Sequence, residues 1–379
     1  MKLKTWQLFV FVTVLFVGSF YVINLKFDKF YRVNGINNDN RVLIEKYLSE
    51  DEQTYLIDNQ IDIDLFIHYI EYDEFSLVNY QYYDALKHTN RYKTKDILNI
   101  GNSLASRISY TYPTKAFDYA KQLIDLSLEK AFLNTDQFHF EYISLYTSMR
   151  PLYEKDDYSF IEDTHTYILK LNALGVTDKE SIQNTFTQMT TAYNQSSLKE
   201  LMSHDLSTNV QIIFNPFELT TVVNEKKYIG YYEPSSLLLT QDIPRARYAM
   251  YLQSDAYNAL IKMYRDLSKE VNGFVLKGAY TSPQHLSNEK IGHEEFQLGL
   301  SIDITKSEVS YKDFDTTDLS QWLQQHAHEY GFILRYPQNK ASVTNKAYDP
   351  HIYRYVGKSL AKSLFDSNLT LEEYENIEE

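Results

Sequence analysis

The longest uninterrupted apolar run stands at the start of the chain. From Trp6 to Leu25 the sequence reads WQLFVFVTVLFVGSFYVINL, with no charged residue. A helix of ~20 residues matches the roughly 30 Å hydrocarbon core of a bilayer. The run therefore predicts a transmembrane anchor over 1–28, with Lys2 and Lys4 on the cytoplasmic side and the rest of the chain outside. Lys26 and Lys29 follow closely and weaken the charge asymmetry. A cleaved signal peptide is the rival reading, with Val17-Gly18-Ser19 as its small-residue site. Because the run continues past Ser19 through Phe20, Tyr21, Val22 and Ile23, the anchor is favoured.

After the run the pattern turns helical and carries no catalytic signature over 29–206. Ser49-Glu50-Asp51-Glu52 has the spacing of a capping box, with Tyr55, Leu56 and Asn59 at helical intervals behind it. Between Pro113 and Leu133, Phe117, Ala120, Leu123, Ile124 and Leu128 line one helix face. A further helix starts near Thr177, where Asp178 and Glu180 suit the positive end of a first turn ahead of Ile182, Phe186 and Met189. Over 207–379 helix and strand patterns mix. Tyr248 to Ser268 reads as an amphipathic helix, Phe274-Val275-Leu276 as a short strand, the stretch from near Leu319 as a helix, and the stretch through Ile352 as a strand. The fold class is α+β.

Composition narrows the function classes. The chain has 379 residues, 44% of them hydrophobic, so it can bury a sizeable core. Its 34 tyrosines and 21 phenylalanines against 11 glycines and 8 prolines imply dense aromatic packing. With no cysteine there is no disulfide framework, thiolate ligand or thiol nucleophile. A formal net charge of -14 argues against nucleic acid as a partner.

The stretch from Tyr330 to Gly357, YGFILRYPQNKASVTNKAYDPHIYRYVG, carries the most specific pattern. It resembles the zinc-site segment of the VanY-like D-alanyl-D-alanine carboxypeptidases, in which Glu-Pro-Trp-His stands where this chain has Asp349-Pro350-His351-Ile352. Asn215 to Leu237 (NPFELTTVVNEKKYIGYYEPSSL) is similar to the segment that opens the same domain. The resemblance implies an LAS-type fold, a small antiparallel sheet with helices. It also implies a zinc ion bound by two His and an Asp, with a Glu as base.

Mapped onto that pattern, Asp303 keeps the Asp ligand position, while Phe296 and Ile352 occupy the two His positions and Asp349 the base position. In the pocket segment, Tyr280-Thr281-Ser282, Thr281 replaces the Arg suited to a carboxylate. Gln297, Arg335 and Arg354 complete the expected pocket positions. Neither Phe nor Ile has a lone pair to offer a metal, so no cofactor is expected here. His293 and His351 lie near the lost ligands and raise the alternative of a rearranged metal site. A strand through Ile352 turns His351 to the opposite face. The expectation is a single-pass membrane protein with an extracellular, catalytically inactive carboxypeptidase-like domain. It would bind peptidoglycan stem peptide or an extracytoplasmic protein. The alternative is an active metallo-carboxypeptidase trimming stem peptides.

Overall fold

The computed structural model describes residues 4–205 and 209–378; Lys2 and the expected boundary at 206/207 lie outside them. The chain divides into two compact units, one ending at Phe140 and the other beginning at Glu141. The helices of 141–203 fall in the second of these compact units, while the sequence pattern places a boundary at 206/207.

In the first unit, helix α1 (Thr5–Phe27) contains a window, Thr5–Ile23, that is long and apolar enough to cross a membrane by length and composition. The capping box appears as expected: Ser49 Oγ accepts from the Glu52 N–H, and Glu52 Oε2 accepts from the Ser49 N–H at 2.9 Å. Phe30, Ile44, Leu56, Ile63, Phe66 and Leu77 form a buried core behind it. The expected helix across 113–133 is two helices, Ala116–Asp125 and Glu129–Asn134. Ser127 breaks it with φ 59°, and the Leu128 N–H reaches back to the Leu123 carbonyl at 2.8 Å, closing the first helix. Leu123, Ile124 and Leu128 are still buried, so the apolar face was read correctly although its continuity was not.

In the second unit the helix expected near Thr177 is Lys179–Ala192, with Asp178 Oδ1 accepting from the Ser181 N–H at 2.9 Å. The predicted helix over 248–268 begins only at Ser254, because Tyr251–Gln253 pairs as a strand with Leu237–Leu239. From there run α2 (Ser254–Leu267), β1 (Phe274–Gly278), β2 (Ser301–Lys306), α3 (Asp318–His326), β3 (Phe332–Tyr336), β4 (Asp349–Tyr355) and α4 (Lys358–Ser367). The four strands make an antiparallel sheet in the order β1-β2-β4-β3.

The alternation of side chains along each strand sorts the two faces. Leu276, Ile302, Ile304, Phe332 and Tyr353 join Leu260, Met263, Trp322 and Leu323 of α2 and α3 in one core. On the other face Ile333 packs with Ala361 and Leu364 of α4, and β2 and β4 set Ser301 opposite Arg354 and Asp303 opposite Ile352. This is the mixed α+β architecture expected from the sequence.

Candidate functional site

Asp303 stands mid-sheet, paired across β2 and β4 with Ile352 and across β1 and β2 with Gly278. Glycine at 278 is a packing requirement, since a Cβ there would come within 2.8 Å of the Asp303 Cβ. Phe296 lies in the short 3₁₀ turn Glu295–Leu298 leading into β2, and its carbonyl accepts from the Thr281 N–H at 3.1 Å. The pocket segment Tyr280-Thr281-Ser282 and the Phe296 turn therefore run side by side. Tyr280 is pushed up to about 12 by burial, and Ser282 Oγ donates to Glu233 Oε1 at 3.1 Å.

Burial pushes the Asp303 carboxyl above its ordinary value; Lys277 and His351 oppose the rise and Asp349 adds to it. Its partners are loose: Lys277 Nζ is 3.8 Å from Oδ2, and the Tyr311 hydroxyl donates to Oδ1 at 3.5 Å. Lys277 Nζ also lies 3.3 Å from the centroid of the Tyr311 ring. Neither Lys277 nor Tyr311 was singled out in the sequence. They are 34 positions apart, and only the closure of the sheet brings them to Asp303. Asp349, in the base position, accepts from the His351 N–H at 3.0 Å.

Three expected pocket residues are buried and hydrogen-bonded within the fold. Gln297 is fully buried: its side-chain carbonyl accepts from the Gly292 N–H, and its amide donates to the carbonyls of Gly230 and Tyr232. Arg335 and Arg354 are buried as well, both against Glu295. Arg354 Nη1 donates to Glu295 Oε1 at 2.6 Å and Arg335 Nε to Oε2 at 3.1 Å, with Ser301 Oγ adding a 2.6 Å bond. Arg335 then forks onto Glu372 at 2.8 and 3.1 Å. Burial alone would raise the Glu295 carboxyl, but Arg335 and Arg354 outweigh it and hold it at about 2.

The two nearby histidines are committed elsewhere. His351 leaves β4 on the face opposite Ile352, where its ring is stacked between Tyr311 (centroids 3.5 Å apart) and Phe314 (4.3 Å). Its Nδ1 faces the Ile304 carbonyl at 2.6 Å and its Nε2 the Tyr311 carbonyl at 2.9 Å. His293 Nδ1 faces the Asn224 carbonyl at 2.9 Å, with the ring against Tyr228. Among the described residues, no group of three or more His, Cys, Asp or Glu side chains is placed to hold a metal ion.

Residues 249–358 match the family profile described as VanY, D-alanyl-D-alanine carboxypeptidase. The chain is 31% identical over 217 residues to the putative carboxypeptidase YodJ of Bacillus subtilis (strain 168), covering 48% of this chain and 77% of that protein. Among solved structures, the LdcB LD-carboxypeptidase is 31% identical with a TM-score of 0.41, over 44% of this chain and 90% of its own. The vancomycin resistance D,D-pentapeptidase VanY, solved in complex with Zn(II), is 20% identical with a TM-score of 0.35, over 42% of this chain and 98% of its own. The expectation of no cofactor is corrected to this extent: a D,D-pentapeptidase named for the family whose profile this chain matches is solved with Zn(II), a property of that protein. Of the three mapped residues, Asp303, Ile352 across the sheet from it and Phe296 in the turn before β2, only Asp303 has a donor to offer the ion.

Proposed function

The chain belongs to the VanY-like D-alanyl-D-alanine carboxypeptidase family, and on that premise we propose that it binds the stem peptide of peptidoglycan without cutting it. The observation that carries this reading is the Asp303–Ile352 pair. Strand register, the glycine packed against Asp303 at 278 and the flanking pocket segment support this reading, with a hydrocarbon side chain, Ile352, across the sheet from the one acid at a mapped ligand position. Phe296 and Ile352 give the cleft an apolar floor suited to methyl-bearing residues such as alanine. Lys277, half-exposed beside Asp303, supplies a cation for a terminal carboxylate where Thr281 has none to offer. The domain works outside the cell, held to the membrane by α1 as a single-pass anchor.

The family's zinc favours a second reading, hydrolysis at a rearranged site that includes Asp303. One experiment separates the two. The detergent-solubilised full chain is incubated with a pentapeptide ending in D-Ala-D-Ala, with and without added zinc, while binding is followed by calorimetry and D-alanine release by amino-acid analysis. Saturable binding with no release in either condition is expected. Release that depends on zinc establishes the second reading, and neither binding nor release redirects the search to an extracytoplasmic protein partner. Protease added to intact cells should digest the region after α1, and recovery of a mature chain beginning near Phe20 from the medium would replace the anchor with a signal peptide.

A further inference from the structure

Where α1 ends, the chain turns back onto the last apolar residues of that helix. The window long and apolar enough to cross a membrane closes at Ile23, and Tyr21 lies about 3 Å of helix rise inside that end. Beyond the helix, Phe30 and Val33 are buried in the core of the first unit, which leaves Tyr31 and Arg32 between them exposed. Arg32 reaches back to the helix: its Nη2 donates to the Tyr21 hydroxyl at 2.6 Å, and its guanidinium carbon is 5.8 Å from the centroid of that ring. Tyr31 packs edge-on against the same ring, with centroids 5.7 Å apart. The neighbouring charges have partners. Asp28 accepts a fork from Arg41 at 2.7 and 2.9 Å, and Lys29 Nζ donates to Gln53 Oε1 at 2.6 Å. Among the described residues Arg32 makes no ion pair, and the Tyr21 hydroxyl is its one hydrogen-bond partner. A guanidinium with free donors thus stands where a spanning α1 would pass from hydrocarbon to headgroups, a depth that also suits tyrosine rings. With a formal net charge of -14 the chain as a whole has no attraction for an anionic bilayer, so any such attraction is local.

We propose that Arg32, oriented by Tyr21, is a binding site for the phosphate of an anionic lipid headgroup in the leaflet from which α1 emerges. Tyr21 takes one of the five N–H donors of the guanidinium, and the planar fork keeps a parallel pair for two phosphate oxygens. The hydroxyl of Tyr21 and the ring of Tyr31 hold that fork in place before a lipid arrives, which a flexible surface lysine does not achieve. The inference rests on the reading of α1 as a membrane anchor, and it is independent of what the cleft in the second unit binds.

The probes are phosphatidylglycerol and phosphatidylcholine, titrated separately onto the full chain in detergent, with bound lipids counted by native mass spectrometry. Phosphatidylglycerol should bind about fivefold more tightly, the worth of one basic residue at an anionic surface. Arg32→Gln should bring the two lipids to equal affinity. Arg32→Lys and Tyr21→Phe, which keep the charge but lose the fork or its support, should each leave a preference of about twofold. Lys121→Gln, at an exposed lysine paired with Asp125, should change nothing. Equal affinity in the native chain, or a preference that survives Arg32→Gln, overturns the site. A preference kept in full by both Arg32→Lys and Tyr21→Phe reduces it to general charge attraction, and displacement of phosphatidylglycerol by an equal concentration of inorganic phosphate makes the ligand a free phosphate instead. The anchor is tested apart from these: a full chain that stays soluble without detergent and does not sediment with phosphatidylcholine vesicles has no anchor, and the site falls with it.

Discussion

Glu295 and Asp303 approach the same face of the sheet, eight positions apart in sequence, and meet their cations in opposite ways. Glu295 is enclosed by two guanidinium groups and a serine hydroxyl at 2.6 to 3.1 Å, and its carboxyl is held at about 2. Asp303 has an ammonium at 3.8 Å and a phenol at 3.5 Å, and burial raises it. The first carboxylate has its hydrogen-bonding capacity filled by the fold. The second keeps capacity for something that arrives from outside. A frame and a site are thereby told apart by the completeness of their hydrogen bonding, although both are built from buried acids and neighbouring bases.

The most damaging way to break the comparison is to open the closed cluster. Arg354→Met leaves Glu295 with Arg335 alone and should cost about 3–5 kcal/mol, the usual penalty for stripping one partner from a buried pair. Urea unfolding of the full chain in detergent measures it. Asp303→Asn, by contrast, should change stability by less than about 1 kcal/mol, since its partners are loose and half in water. Equal costs for the two variants would erase the distinction between frame and site.

Acid sharpens it next. Glu295 falls from an ordinary 4.5 to about 2 in the fold, so its contribution is complete above about pH 4.5 and is lost as pH drops toward 2. Asp303 has the opposite sign: its folded value lies above 3.8, the native state binds its proton more tightly than the unfolded chain, and acidification through that window favours the fold. Unfolding free energy measured from pH 6 to pH 2 should therefore drop in the native chain. Glu295→Gln should remove on the order of 3 kcal/mol of that drop. A slope unchanged by Glu295→Gln would assign the acid sensitivity to other groups.

Much of this was legible in the sequence, and the exceptions have a common cause. The stretch from Tyr330 to Gly357 could be read because its landmarks are local: Gly331 and Gly357 adopt φ of 95° and 81°, and a Cβ on Gly331 would strike the Tyr355 ring at 2.8 Å. Strand alternation likewise placed His351 away from Ile352. That Arg335 and Arg354 are buried against acids could not be read locally, because those acids come from distant segments, Glu295 from 40 and 59 residues earlier and Glu372 from the helix Leu371–Glu378. The Lys277–Tyr311 contact and the division at Phe140 are likewise long-range outcomes of packing, with no signature in any local window.

A gain of function tests whether the open site is the place that the mapping says it is. Phe296→His combined with Ile352→His returns two imidazoles beside Asp303 and should tighten zinc binding by on the order of 100-fold relative to the native chain, read by competition with a chelating dye. The same pair of changes placed at Ile333 and Leu298 should do far less, because those side chains belong to packed core. An unchanged affinity in the first variant would mean that Phe296 does not face the Asp303–Ile352 pair.

The smallest effect falls on Lys277. Its ammonium is half-exposed, lies over the Tyr311 ring and stands near Asp303, so it has charge to share with a ligand. If it serves the terminal carboxylate of a bound peptide, the native chain should prefer a peptide with a free C-terminus over its carboxamide by about 3- to 10-fold, the range of a partly solvated ion pair. Lys277→Gln should bring that ratio close to one while leaving the carboxamide's affinity unchanged. Asp303→Asn should move the ratio the other way, since it removes the anion that competes for the ammonium. Should both variants leave the ratio where it was, Lys277 only offsets the charge of Asp303, and the carboxylate is received elsewhere along the cleft.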